Sequence, residues 1–239
     1  MKNLQFLNRA SNDDLRLLSD IVVRDKEGNF RLTEDLSGTD VFRNNYPHNI
    51  KGMLPELINE LRLFGGNSIA NFFRGEGPEY SEILRDVADR NDVSYNRYAI
   101  DEMVEQYLLQ KLFNDSLTGA SDDELKKMLE ELGYPTTNFA RQAAMATLMA
   151  AWKAGGFQSY ILLVSVVNAV MKFLVGRGLS LAANAALSRM ASIVMGPIGW
   201  VLTALWTFID VAGPAYRVTV PAIIQIAYIR QTVNNTFRQ

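Results

Sequence analysis

The hydrophobic positions of the first 154 residues recur at helical spacing. In "SNDDLRLLSDIVV" the apolar residues lie three and four positions apart, and Ser11 precedes two acids as an N-cap does. In "GASDDELKKMLEELGY" Ser121 and Glu124 have the spacing of a capping box, and Gly133 follows as a C-cap glycine. The same period continues in "MLPELINELRLF", "EYSEILRDVADR", "AIDEMVEQYLLQKLF" and "NFARQAAMATLMAAWKA". These patterns predict an all-α fold that begins with a helical bundle.

The pattern changes after residue 155, where the chain is apolar on almost every helical face. Residues 190–209 carry no formal charge, and their 20 residues would span about 30 Å as one helix. Proline is tolerated in the first turn of a helix and breaks its interior, however. Gly196-Pro197 and Gly213-Pro214 are therefore predicted helix boundaries. We expect about four short helices in hairpins, at 157–175, 178–195, 197–212 and 214–231.

The few polar residues of this tail form one narrow stripe on each predicted helix. Two interpretations stay open. The apolar faces contact lipid while the stripes contact one another or line a water path, or the tail is the core of a soluble domain or oligomer. The stripes are Gln158, Ser165, Asn168 and Lys172; Arg177, Ser180, Asn184 and Ser188; Thr203, Thr207 and Asp210; and Arg217, Gln225 and Tyr228.

Charge divides the chain at the same place. Residues 1–154 hold 18 basic and 25 acidic residues, and residues 155–239 hold six basic residues and one acid. A soluble surface normally needs roughly a quarter charged residues, whereas this tail has seven in 85. The sequence therefore predicts an acidic soluble domain at 1–154 and an apolar, weakly basic domain at 155–239 that associates with membrane or forms an oligomer core.

Asp210 is the single acid of the tail. An unpaired carboxylate in an apolar setting costs several kcal/mol or stays protonated. We therefore expect it to pair with a tail arginine, the candidates being Arg217, Arg177 and Arg189.

Candidate catalytic chemistry is sparse. The chain lacks cysteine, which excludes disulfides, thiolate catalysis and iron–sulfur ligation as properties of this chain. Its one histidine, His48, is predicted to be a surface loop residue. Glu82, Asp86 and Asp89 share a helix face, but interleaved arginines favour a solvated face over a metal site. We expect no enzymatic activity, cofactor or metal, and the net charge of −2 argues against nucleic-acid binding.

Several stretches resemble the YaaW-like family of uncharacterised bacterial proteins, and the likeness covers most of the chain. The family is often labelled as related to ubiquinol–cytochrome c chaperones, which implies an assembly factor but no established activity, cofactor or catalytic residue. The stretches are "LQFLNRASNDDLRLLSDIVVRDKEGNFRLTEDL" (4–36), "FGGNSIANFFRGEG" (64–77), "AGGFQSY" (154–160), "GRGLSLAANAAL" (176–187) and "GPIGWVLTALWTFIDVAGPAYRVTVPAIIQ" (196–225).

The chain is expected to be a non-enzymatic protein whose tail associates with a lipid membrane and with other copies of the chain. In a more specific form of this prediction, the assembled tails permeabilise the bilayer. The alternative is a soluble chaperone or assembly factor that offers apolar helical surface to a client protein. The N-terminus lacks a long apolar stretch typical of a secretory signal. We therefore expect the cytoplasmic side of the inner membrane, peripheral or integral, or otherwise the cytoplasm.

Overall fold

The structure, a computed structural model, describes residues 2–65, 77–179 and 215–234. Its regular secondary structure in these ranges is helical, and the one β feature there is an isolated antiparallel bridge between Arg24 and Phe30. The predicted all-α class is confirmed. The α-helices are α1 (Asn12–Val23), α2 (Asp40–Asn45), α3 (Leu54–Gly65), α4 (Tyr80–Arg90), α5 (Asp101–Gly119), α6 (Asp122–Glu131), α7 (Arg141–Ala154), α8 (Gly156–Val175) and α9 (Tyr216–Asn234). Short 3₁₀ helices cover Lys2–Arg9, Leu36–Gly38 and Ile50–Met53.

Local capping signals set the starts of two helices, as predicted. The Ser11 hydroxyl accepts a hydrogen bond from the Asp14 N–H at the start of α1. At the start of α6, Ser121 and Glu124 form a reciprocal capping box, with 2.7 Å between the Ser121 nitrogen and the Glu124 carboxylate. Both devices satisfy N–H groups that the first turn of a helix leaves without partners.

Helix α8 confirms the predicted helix at 157–175. It begins where Gly155 and Gly156 both adopt a φ of 73° and ends at Gly176, a left-handed C-cap. Within the described residues it is the one helix long and apolar enough to cross a membrane. Two-thirds of its most apolar window, 67%, is nevertheless buried against the rest of the protein. In this structure α8 therefore packs as a core helix.

Helix α9 corresponds to the predicted helix at 214–231 and lies at the centre of the bundle. All of its residues from Val218 to Arg230 are buried. It packs against α1, α3, α4, α5, α8 and the first 3₁₀ helix. A helix that is apolar on every face has to be surrounded, and here helices from the first half of the chain surround it.

The core joins the two predicted domains, 1–154 and 155–239. One continuous apolar cluster contains residues of α1 to α7 together with α8 and α9. The packing differs from the expectation that residues 1–154 bury a core of their own, because α9 occupies the middle of that core. Charge composition changes near residue 155, but the extent of a folding unit depends on which apolar side chains pack together.

Helices α8 and α9 run antiparallel. The start of α8 and the end of α9 meet at one cavity of about 320 Å³, lined among others by Ser159 and Gln231. At the other end, Arg177 contacts Gly28, and Arg217 is close enough to Arg31 to lower its pKa. Leu179 and Ala215, the described residues on either side of 180–214, therefore lie at the same end of the bundle. We call residues 24–32, 172–179 and 215–217 the exit end.

Candidate functional site

The end of the bundle opposite the exit end holds a buried ion pair. Arg230 of α9 donates from Nε to Glu105 Oε2 at 2.6 Å and from Nη2 to Glu105 Oε1 at 2.9 Å. The Glu105 side chain is fully buried, and the hydroxyl of Tyr80 also donates to it at 2.6 Å. Arg230 reaches the backbone carbonyl of Asn3 and lies 3.9 Å from the centre of the Phe6 ring. We call this end, with Asn3, Tyr80, Asp101, Glu105 and Arg230, the closed end.

Burial acts against both charges of this pair. Burial raises the pKa of Glu105, and the hydrogen bonds from Arg230 and Tyr80 act against that rise. Burial also opposes the charge of Arg230, but the hydrogen bonds to Glu105 and the nearby negative charges together raise its pKa. Because the Arg230 guanidinium keeps its charge, its two hydrogen bonds to Glu105 are charge-assisted and hold α9 to α5.

A second carboxylate extends the network at the closed end. Asp101 accepts hydrogen bonds from Asn3 at 2.9 Å, Ser81 at 2.6 Å and Arg85 at 2.9 Å. Burial alone would raise the pKa of Asp101, but these hydrogen bonds outweigh burial and lower it. Asp101 therefore joins the first 3₁₀ helix to α4 and α5 through its ionised form.

Asp20 organises the exit end. Its Oδ2 pairs with Arg177 Nη1 at 2.9 Å, and its Oδ1 pairs with Arg24 Nε at 3.3 Å and accepts from the Tyr46 hydroxyl at 2.9 Å. The Asp20 side chain is 10% exposed, whereas those of Arg24 and Arg177 are 20% and 38% exposed. One nearly buried acid thus fixes the segment that follows α8 onto α1, while the arginines stay partly accessible.

The returning chain is fixed by contacts to α4. The Tyr216 hydroxyl donates to Asp86, and Arg90 pairs with Asp86 at 3.2 Å while its guanidinium lies 4.7 Å from the Tyr216 ring centre. Burial, followed by the hydrogen bond to Asp86, raises the pKa of Tyr216 to about 12. Asp89, a neighbour of Asp86 on the same helix, accepts from the Tyr95 hydroxyl. These contacts engage two of the three acids weighed as a metal site.

Most residues of the two described polar stripes are engaged inside the bundle. Ser165 donates to the Ile161 carbonyl and Asn168 Oδ1 accepts from the Leu179 N–H at 3.0 Å, both side chains being buried. Gln158 bonds to Leu132 and Tyr134 in the chain that follows α6, and Gln225 donates to the Asp14 carbonyl at 3.1 Å. In the folded bundle these polar groups therefore pack α8 and α9, and the interpretation that the stripes contact one another or line a water path stays a prediction. Lys172 and Arg217, by contrast, are exposed.

The predicted ion pair of Asp210 lies outside the described residues. The same is true of Arg189 and Asn184 and of the predicted helix boundaries Gly196, Pro197, Gly213 and Pro214. Of the arginines proposed as partners, Arg177 pairs with Asp20.

No arrangement of side chains typical of an active site is assembled in the described part of the chain. His48 is exposed in a loop, as predicted. Across residues 2–65, 77–179 and 215–234, no group of three His, Cys, Asp or Glu side chains is arranged to hold a metal ion. The described polar clusters use their hydrogen bonds to join helices.

Known relatives extend along nearly the whole chain. A "UPF0174 protein" of Helicobacter pylori strain J99 is 42% identical over 230 residues, covering 96% of this chain and 90% of the relative. The chain belongs to the UPF0174 family. A second UPF0174 protein of that strain is 39% identical over 84% of the chain, and the UPF0174 protein YaaW of Escherichia coli K12 is 26% identical over 98%.

The family assignment confirms the resemblance to YaaW-like proteins. No family model and no solved structure matches the chain. The names of these UPF0174 relatives state no activity.

Sequence reasoning missed the residues that build both ends of the bundle, namely Asp20, Glu105 and Arg230. A signal for two of them was present. Glu105 falls on the inward face of α5 beside Val104, Leu108 and Leu109, and Arg230 is a lone charge in a run of apolar residues. Charges at such positions are almost always paired.

Proposed function

We propose that this UPF0174 chain is a non-enzymatic, membrane-associating protein whose folded bundle holds the segment 180–214 at a lipid bilayer. The observation that supports the proposal is that a segment with almost no charge is attached to the bundle on both sides. Residues 180–214 contain two charged residues in 35, Arg189 and Asp210. The chain on either side of them is bonded to one end of the bundle, through Arg177 and Tyr216. A soluble surface normally carries far more charge.

The charges beside the segment favour a cytoplasmic position for the bundle. Lys172, Arg177 and Arg217 flank residues 180–214 and are basic. Basic residues close to an apolar membrane segment are retained on the cytoplasmic side. Such residues also attract the anionic cytoplasmic leaflet. We place the bundle on the cytoplasmic face of the inner membrane.

Fractionation of the full chain without detergent tests the proposal. The protein is expected in the membrane pellet after carbonate and urea washes, because apolar contact with lipid resists both treatments. A matched variant replaces residues 180–214 with a Gly/Ser sequence of equal length and is expected in the supernatant. A soluble monomeric parent would overturn the proposal, and so would a washed pellet that retains both proteins equally.

A second candidate, a chaperone or assembly factor, is favoured by an exposed apolar stripe on α5. Ile100, Met103 and Tyr107 are 63%, 40% and 37% exposed and follow one helix face. Such a stripe is typical of a surface that binds a protein. This function predicts that the soluble chain suppresses aggregation of a chemically denatured model protein and that Met103→Ser weakens the effect. Equal suppression by parent and variant would remove the stripe from consideration.

A further inference from the structure

The turn between α1 and the Leu36–Gly38 helix is a built structure that projects apolar side chains. Arg24 and Phe30 bridge across it, and the Asn29 N–H donates to the Asp25 carboxylate at 2.7 Å. The Arg31 N–H bonds back to the Val23 carbonyl. Beyond these bonds, Phe30 is 45% exposed and Leu32 is completely exposed, at 103%. The backbone bonds therefore present Leu32 to the surroundings.

This turn lies against the segment that precedes residues 180–214, and its Arg31 lies within electrostatic reach of Arg217 in the segment that follows. A Cβ on Gly28, where φ is +94°, would lie 2.9 Å from the Arg177 guanidinium. A Cβ on Gly176 would lie 2.8 Å from the Lys26 carbonyl. The Lys26 ammonium lies 5.2 Å from the Phe173 ring centre. The turn, the departing chain and the returning chain therefore form one surface, the exit end.

Basic residues gather at this surface of an otherwise acidic molecule. The exit end together with Asp20 contains six basic residues and three acids, whereas the remainder of the chain has 18 basic and 23 acidic residues. Burial and then the nearby positive charge of Arg217 lower the pKa of Arg31, while Asp25 and Glu27 act the opposite way. The basic residues are Arg24, Lys26, Arg31, Lys172, Arg177 and Arg217, and the acids are Asp20, Asp25 and Glu27.

We propose that the turn 24–32 is a lipid-docking element, with Leu32 entering the bilayer interface and the surrounding basic residues binding anionic lipid headgroups. This inference rests on the proposed function, because it places the turn beside the segment that engages the bilayer. Arginine and lysine bind phosphate groups through charge-assisted hydrogen bonds. In this arrangement the basic residues contact the headgroup layer, and Leu32 at the tip of the turn reaches the acyl chains below it.

Co-flotation of the full chain with vesicles tests the docking element. One set of vesicles contains phosphatidylcholine alone, and the other adds phosphatidylglycerol. Leu32→Ser removes the apolar tip without touching the core and is expected to weaken partitioning into both vesicles about tenfold. Lys172→Glu and Arg217→Glu, at exposed positions, are each expected to weaken binding only to the anionic vesicles, by at least about fivefold.

Matched controls separate the turn from general surface effects. Ile100→Ser removes an exposed apolar residue at the closed end, and Lys127→Glu makes the same charge change on α6. Both are expected to bind like the parent, and thermal melts with unchanged midpoints show that every variant is folded. Controls that weaken binding as much as Leu32→Ser would overturn the docking element.

The outcomes also separate this inference from the proposed function. If the parent binds neither vesicle, the proposed function fails and the docking element fails with it. If replacement of 180–214 abolishes binding while Leu32→Ser and Lys172→Glu bind like the parent, the proposed function stands and the docking element is overturned. Sedimentation without lipid adds one more outcome, because a parent dimer that Leu32→Ser dissociates would assign the turn to a protein contact and overturn lipid docking.

Discussion

The two ends of the bundle use ion pairs in different ways. At the closed end, Glu105 is fully buried and Arg230 is 10% exposed, so the charges satisfy each other inside the core. At the exit end, Asp20 is nearly buried, but its partners Arg24 and Arg177 remain 20% and 38% exposed. The closed end fastens α9 into the bundle, whereas the exit end keeps positive charge at the surface.

Helix α9 spans the distance between the two ends. Arg217 and Arg230 are 13 residues apart, which corresponds to about 20 Å along a helix. The same helix therefore carries an arginine beside the apolar segment 180–214 and another in the core. The difference predicts that substitutions at the closed end chiefly change the stability of the bundle, whereas substitutions at the exit end chiefly change its accessible surface.

Removal of α9 has the largest expected effect on this comparison. A fragment of residues 1–154 lacks α8 and α9 and exposes the apolar surfaces that these helices cover. We expect it to lose cooperative thermal unfolding and to aggregate or broaden on size exclusion. A fragment that melts cooperatively near the midpoint of the full chain would restore a domain boundary at residue 155.

The Glu105–Arg230 pair is next in expected effect. Arg230→Met leaves a buried carboxylate without its cation, which costs about 3–5 kcal/mol of the free energy of unfolding. The double variant Glu105→Leu/Arg230→Met removes both charges and is expected to recover most of that loss. Denaturant unfolding measures both. A single variant as stable as the parent would show that the closed end does not fasten α9.

Substitution of Asp20 at the exit end is expected to cost less. Asp20→Asn weakens charged hydrogen bonds to Arg24 and Arg177, which are partly solvated, so we expect a loss of about 1–2 kcal/mol. The same denaturant series compares it with Arg230→Met. If Asp20→Asn is the more destabilising of the two, the exit end contributes more than the closed end to the stability of the bundle.

The smallest expected effect is a change in the pH dependence of the unfolding free energy, and it concerns Asp101 at the closed end. The pKa of Asp101 is lower in the folded protein than in the unfolded chain, so Asp101 stabilises the fold above about pH 4. That contribution is lost as the pH falls through the folded-state pKa. Asp101→Asn should therefore flatten the decline in unfolding free energy below about pH 4. An unchanged slope would mean that other carboxylates carry the acid response.

Much of the local structure follows from short-range signals. The start of α1 was predictable from Ser11, the start of α6 from Ser121 and Glu124, and the bounds of α8 from the glycines on either side. These devices act within a few residues, so the sequence displays them directly.

The partners of the apolar tail were not predictable in the same way. An all-round apolar helix indicates burial but does not identify its neighbours. Gln225 reaches the carbonyl of Asp14, and Arg230 reaches Glu105, across 211 and 125 positions of sequence. No periodicity encodes such contacts, so the sequence alone did not show that one apolar cluster includes residues on both sides of residue 155.

Native tryptophans allow the most direct test of the central claim that residues 180–214 meet the bilayer at the exit end. Trp200 and Trp206 lie within that segment, while Trp152 stacks on Phe113 and lines the cavity shared with Gln231 at the opposite end. The measurement is quenching of tryptophan fluorescence by brominated lipid in anionic vesicles. A Trp152→Phe chain is expected to be strongly quenched, and a Trp200→Phe/Trp206→Phe chain to retain its emission. Equal quenching of the two chains, or quenching of Trp152 alone, would contradict the account.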